Sequence, residues 1–68
     1  MAGQSANFQN TQLAYTDFTR ANLENANFQN ANLIGADFEN CNLTGADFKG
    51  ANLSQTRFPG AILKQIRI

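Results

Sequence analysis

Few side chains in this sequence are of a type that could carry out chemistry. Cys41 is the one thiol, and with no histidine and no second cysteine it has neither a general base nor a disulfide partner. The carboxylates of Asp17, Asp37 and Glu39 are the oxygen ligands that hard cations prefer. What any of these groups can do depends on the elements that hold them.

Length and charge narrow the classes of protein. The chain has 68 residues, with five basic residues balancing five acidic ones, which disfavours a strongly basic nucleic-acid binder. Its longest apolar run is residues 61–63, too short for a transmembrane segment or a signal-peptide core. We therefore expect no nucleic-acid partner and no membrane partner, and the cytoplasm is the default compartment. Residues 1–5 are interpreted as an N-terminal tail.

One repeat of five residues runs through the rest of the chain. A large apolar residue, here called the centre, recurs at every fifth position and uses every Phe and Leu, and a small residue stands two positions before each centre. The residue between them is usually Asn or Asp. The centres are Phe8, Leu13, Phe18, Leu23, Phe28, Leu33, Phe38, Leu43, Phe48, Leu53, Phe58 and Leu63. Cys41 occupies one of the small positions.

A period of five fits neither an α-helix nor a continuous strand. Small, polar and large residues in succession form a short alternation, so the small residue and the centre point to one side. The second residue after the centre is Gly or Asn in eight of twelve units, and these residues adopt positive φ most readily. Pro59 directly precedes Gly60, the register of a type II turn. Each unit is therefore predicted to be a short extended segment followed by a turn.

The pattern resembles the pentapeptide-repeat family, whose motif is A-(D/N)-L-x-x with Phe often replacing Leu. Residues 21–25 (ANLEN), 36–40 (ADFEN) and 46–50 (ADFKG) carry the resemblance. It implies an all-β fold, a right-handed, four-sided parallel β-helix of about three coils. The predicted organisation is an N-terminal tail at 1–5, one domain of twelve repeats at 6–65, and a tail or partial thirteenth repeat at 66–68. Periodicity alone does not choose four sides over two or three.

With four sides, residues twenty apart stack in columns, and function must lie on the outward positions. One face, formed by residues 11–15, 31–35 and 51–55, carries no charge, and Ala14, Tyr15 and Ile34 project from it. This uncharged face is the predicted protein-interaction surface. Asp17 stacks near Asp37 with Glu39 alongside on another face, too few ligands for a cation cage. Catalytic residues, metals and cofactors are not expected.

Two further features are given structural roles. The Asn and Asp residues before the centres are expected to hydrogen-bond along their columns, and Cys41 is expected to pack toward the core as a small apolar residue.

The ends of such a solenoid expose backbone and core, and no capping helix is apparent in the sequence. Ile66 and Ile68 fall in the next small and centre positions and, with Leu63, would leave the C-terminal end apolar. We therefore expect end-to-end association, in the form of a homodimer through the C-terminal coil or attachment to a further domain.

Two functions are consistent with the resemblance. The favoured one is a non-catalytic scaffold or protein-interaction module of unknown partner. The alternative is a gyrase-binding mimic of DNA, which would need dense negative charge along the rod, whereas this chain is neutral overall.

Overall fold

A computed structural model describes residues 5–68, so the predicted tail lies outside the described residues except for Ser5. In this structure each five-residue unit ends in a turn. In the first eleven units the N–H of the residue that follows the turn donates to the carbonyl of the centre three positions earlier, for example Ala46 N–H to Leu43 O at 2.9 Å. The third residue of all twelve turns has positive φ, between 57° and 75°, as type II geometry requires. The predicted turns are therefore present at every repeat.

The turns wind the chain into a coil of twenty residues. Nine parallel β-bridges connect residues twenty apart, from Asn7 with Asn27 to Asp47 with Arg67. Four units therefore complete one coil, and the chain makes three coils followed by the start of a fourth at residues 66–68. The extents of 33 × 24 × 18 Å describe a short rod.

Extended structure is confined to single residues. In the described residues every bridge is isolated, at the polar position before a centre, and no longer strand and no helix occurs. The three-residue strands expected from the sequence are thus reduced to one bridging residue between turns. No helix in this range is long and apolar enough to cross a membrane.

The backbone donors of the middle coil are all satisfied. In the unit at residues 36–40, Asp37 N–H donates to the coil below, at Thr16 O, while Phe38 and Asn40 donate to the coil above, at Arg57 O and Pro59 O. Ala36 N–H closes the preceding turn, and Glu39 N–H donates to a side chain described below. Because buried unpaired backbone groups are costly, this pairing stabilises the stacked coils in addition to the core.

The six Phe side chains form two stacks inside the coil. Phe8, Phe28 and Phe48 stack with nearly parallel rings at centroid distances of 5.0 and 5.1 Å, and Phe18, Phe38 and Phe58 at 4.9 and 5.3 Å. These are the columns that four-sided geometry predicts. The two stacks also meet each other edge to face at 5.5–6.0 Å, from Phe8 through to Phe58, which sequence reasoning did not anticipate. Aromatic pairs favour both arrangements.

The buried core is confined to the middle of the rod. Phe28, Leu33, Phe38 and Leu43 are fully buried, whereas Phe8 and the other centres near both ends are only partly covered. Each centre is covered by the coils on either side of it, so a chain of three coils can completely bury only the middle one.

Candidate functional site

Tyr15 is the most exposed large side chain of the uncharged face. It stands at the positive-φ corner of its unit (φ 61°), and 73% of it is exposed. Its ring lies over the backbone of Gly35, the corner residue of the next coil: a Cβ added to Gly35 would be 3.3 Å from Cζ and closer still to Cδ1 and Cε1. Because Gly35 has no side chain, the aromatic ring can lie against its backbone.

The other residues predicted for this surface differ in exposure. Ala14 is exposed beside Tyr15, but Ile34 is only partly exposed, and its N–H donates to Asn32 Oδ1 at 3.2 Å. Asn32 Nδ2 also donates to Gln12 Oε1 at 2.9 Å, which ties the first and second coils on this face. Tyr15 is therefore the one large apolar group that this face offers to a partner.

The Asn and Asp residues before the centres act mainly within their own turns. In each of the nine such residues, Oδ1 accepts a hydrogen bond from the N–H two positions later, at 2.9–3.2 Å. This is the Asx turn. It pairs the one backbone N–H of each unit that neither the turn nor the adjacent coils satisfy. The signal was in the sequence, because Asn and Asp are the residues that favour such turns.

Bonds along the columns, which the sequence led us to expect, are fewer. Two join residues twenty apart, Asn32 with Gln12 and Arg57 with Asp37. The others run diagonally between residues eighteen apart: Gln29 Nε2 donates to Asp47 Oδ2 at 3.0 Å, and Asn27 Nδ2 approaches Gln9 Oε1 at 3.5 Å. The Asn and Asp residues before the centres therefore act mainly by hydrogen bonds within their own turns, and less by hydrogen bonds between coils.

Two of the three carboxylates considered for a cation, those of Asp37 and Asp17, are engaged by other groups. Asp37 Oδ2 pairs with the Arg57 guanidinium at 3.0 Å across the coils. Asp17 accepts from both the hydroxyl and the N–H of Thr19, and these bonds, with the nearby Arg20 charge, lower the pKa of Asp17 below its usual range. No group of three or more potential metal ligands occurs within residues 5–68.

Cys41 lies in the core, as its small position predicts. It is 1% exposed, and its thiol donates to Phe18 O at 2.8 Å. Thr56, in the equivalent position of a later unit, makes the same bond to Leu33 O at 2.8 Å. Burial raises the pKa of the Cys41 thiol, so the neutral and unreactive form is favoured.

The C-terminal end is apolar, as expected from Leu63, Ile66 and Ile68. Leu63 is 40% exposed and Ile68 81% exposed, whereas Ile66 packs partly against the core. Ile62 adds a fourth apolar side chain, 45% exposed, at a position usually held by Asn or Asp. Sequence reasoning had not singled it out, although its departure from the repeat pattern was visible.

The charges are segregated along the rod. Residues 49–68 carry four basic side chains and no carboxylate side chain, while all five carboxylate side chains lie between Asp17 and Asp47. Lys64 and Arg67 stand next to the exposed apolar side chains of the C-terminal end. The basic residues of this end are Lys49, Arg57, Lys64 and Arg67. The equal numbers of basic and acidic residues in the whole chain gave no sign of this separation.

These observations define a class of protein. It is a solenoid of five-residue units, in which the turns, the Asx hydrogen bonds and the core side chains recur at the same positions of each unit. The sequence model for pentapeptide repeats, in eight copies, matches residues 6–45 and again residues 26–65. The chain belongs to the pentapeptide-repeat family.

Solved structures agree with this assignment. The pentapeptide repeat protein Rfr23 from the cyanobacterium Cyanothece 51142 is 42% identical with a TM-score of 0.84, over 90% of this chain and 42% of that one. A pentapeptide repeat protein of the Arabidopsis thaliana thylakoid lumen is 31% identical with a TM-score of 0.65, over 90% of this chain and 49% of that one. The chain thus spans less than half the length of either relative. No curated protein matches it.

Proposed function

We propose that this chain is a non-catalytic scaffold that presents its uncharged face to a protein partner. The observation that carries the proposal is the Tyr15 ring, 73% exposed yet held against Gly35. A rigid exposed aromatic side chain loses little conformational freedom on binding, and Tyr is enriched among the residues that dominate binding energy.

The related solenoids form right-handed four-sided β-helices, and we infer the same handedness here.

The rest of the uncharged face supports contact with a protein over contact with a charged polymer. Ala14, Gln12 and Asn32 share this face with the ring and present small and amide side chains, which can exchange hydrogen bonds with a partner without desolvating a charge. The bond from Asn32 to Gln12 also ties the first and second coils on this face.

Gyrase binding by DNA mimicry is the weaker proposal for this chain. A mimic needs negative charge that continues along the rod, whereas the last twenty residues are basic and Arg57 neutralises Asp37 on the face that carries most of the carboxylates. A supercoiling assay tests it directly, since protection of gyrase by this chain would reverse our preference.

The scaffold proposal is tested by affinity capture from an extract of the source organism, followed by binding of each captured protein in purified form. Tyr15→Ala removes the aromatic contact. Arg20→Ala is a matched control, because Arg20 is also an exposed corner residue of the first coil with positive φ. We expect a true partner to lose at least tenfold in affinity for Tyr15→Ala and to bind Arg20→Ala as it binds the unaltered chain. Equal binding of all three chains would refute the role of this face.

A further inference from the structure

The two ends of the rod have opposite hydrogen-bonding capacity. Within the chain, each unit sends two N–H groups to the coil above and accepts one N–H bond from it, as Phe38 and Asn40 illustrate. At the C-terminal edge this pattern leaves eight N–H groups and four carbonyls without a partner among residues 5–68. The N–H groups belong to Gly50, Leu53, Gln55, Phe58, Gly60, Leu63, Gln65 and Ile68, and the carbonyls to Ala51, Thr56, Ala61 and Ile66.

The N-terminal edge shows the complementary set. Eight carbonyls and four N–H groups there have no partner in the described part of the chain. The carbonyls are those of Asn7, Gln9, Gln12, Ala14, Asp17, Thr19, Asn22 and Glu24, and the N–H groups those of Asn7, Gln12, Asp17 and Asn22. An N-terminal edge therefore offers acceptors and donors in the same numbers as the donors and acceptors of a C-terminal edge.

Charge points the same way. Lys64 and Arg67 lie at the C-terminal edge, and the first coil carries two carboxylates, Asp17 and Glu24, and one basic residue, Arg20. Two C-terminal edges brought together would oppose basic groups to basic groups and eight N–H donors to eight N–H donors. A C-terminal edge on an N-terminal edge instead opposes basic groups to a coil in which carboxylates outnumber basic groups, and donors to acceptors.

We propose that copies of this chain associate head to tail, with the C-terminal edge of one copy seated on the N-terminal edge of the next. The inference concerns the ends of the rod and does not depend on the proposed role of the uncharged face. It gives the expected end-to-end association a direction, in place of a dimer through two C-terminal coils.

Residues 66–68, which begin the fourth coil, determine the register of the contact. If the second copy simply continued the coils after three full turns, its Phe8 would occupy the place of Ile68. A shift by one further unit removes the overlap between the described residues of the two copies, brings Asn7 of the second copy beside Asn52, and stacks its Thr19 on Lys64. Asp17 of the second copy then lies on the diagonal from Lys64 that Gln29 and Asp47 occupy within the chain. In this register Phe columns continue over Leu columns, so the apolar contact is looser than in the core and the association reversible.

Because this contact is not self-complementary, it does not close into a dimer. Sedimentation over a range of concentrations should show a weight-average mass that rises beyond two chains, and that falls when salt is raised from 50 to 500 mM because charge attraction is screened. Lys64→Glu should weaken each contact about threefold to tenfold. A mass that stops at two chains, or stays at one at millimolar concentration, would overturn the proposal.

Disulfide trapping distinguishes the two directions. In a Cys41→Ala background, a chain with Lys64→Cys is mixed with a chain carrying Thr19→Cys and oxidised. In the proposed register these residues lie one above the other, within the Cα separation that a disulfide spans. We expect the 64–19 bridge between different chains. Bridges only between two residues 64 would show the C-terminal dimer, and no bridge would show no contact; both results contradict head-to-tail order. Circular dichroism of each variant confirms that it is folded.

Discussion

The ring of Tyr15 lies against the backbone of Gly35, twenty residues further along the chain. The same relationship recurs at other corners: a Cβ on Gly45, Gly50 or Gly60 would collide with Oδ1 of the Asn twenty residues earlier. At these corners a side chain on one coil covers the glycine of the next. The sequence positions twenty apart are therefore coupled at the surface as well as in the core.

The first prediction concerns this coupling. Gly35→Ala should destabilise the fold by about 1–2 kcal/mol, because alanine resists the φ of 68° and its Cβ collides with the Tyr15 ring. In a double variant with Tyr15→Ala the collision is removed, so the loss should be smaller than the sum of the two single effects. Urea unfolding of the four chains measures this. Strict additivity would contradict the contact.

The second prediction concerns the Asx turns. Asn42→Ala should lower the free energy of unfolding by about 1 kcal/mol, because the Thr44 N–H and hydroxyl lose the oxygen to which they donate. Asn42→Asp keeps that acceptor and is the matched control. Thermal unfolding of both variants checks the prediction, which fails if Ala and Asp are equally tolerated.

The third prediction concerns the aromatic core. Phe38 stacks on Phe18 and Phe58 and meets Phe28 and Phe48 edge to face, all while fully buried. Phe38→Leu should therefore destabilise the chain by about 1–3 kcal/mol.

Phe58→Leu is the control for that variant, since Phe58 makes one stacked and one edge contact in a partly covered end coil. Its loss should be clearly smaller in the same denaturant titration. If the two variants lost equal free energy of unfolding, the additional stacked and edge-to-face contacts of Phe38 would contribute nothing beyond ordinary apolar burial.

The fourth prediction concerns pH. The pKa of Asp17 is lowered in the folded chain, first by the Thr19 hydroxyl, then by the Thr19 N–H, with a smaller effect of the Arg20 charge. Ionised Asp17 therefore stabilises the fold above the ordinary Asp pKa of about 3.9, and this contribution is lost as pH falls through the lower folded value. NMR titration should show the low pKa in the unaltered chain and a value nearer the ordinary one in Thr19→Ala. An identical midpoint in both chains would exclude Thr19 as the cause.

The fifth prediction concerns Cys41. Because its thiol is buried and its pKa raised, it should react with a disulfide reagent far more slowly in the native chain than in urea. Cys41→Thr should be tolerated, since Thr56 makes the equivalent bond at 2.8 Å, whereas Cys41→Asp should unfold the chain. Fast labelling under native conditions would show that the small position opens to solvent.

Much of the fold could be predicted from the sequence because the residue types within each five-residue unit determine the local structure of that unit. Asn and Gly at the corners predicted positive φ, and Pro59 fixed the turn register; the structure extends the same conformation to Tyr15, Arg20, Gln55 and Gln65. These residues do not favour it on their own. At Tyr15 and Arg20 the adjacent coil holds the residue there through a hydrogen bond from its N–H, to Ile34 O and to Glu39 O, each at 2.8 Å.

The sequence by itself determined the five-residue unit, its inward and outward positions and its turns, because these depend on residues within a few positions of one another. With the four sides that the family resemblance implied, it also placed Tyr15 on an uncharged face and Leu63, Ile66 and Ile68 at an apolar end. Only the tertiary structure decided three further features. They are the edge-to-face contacts between the two Phe stacks, the contact of the Tyr15 ring with Gly35, and the opposite hydrogen-bonding capacity of the two ends of the rod. The first two require residues ten or twenty positions apart to meet, and the third depends on how four turns close one coil of twenty residues.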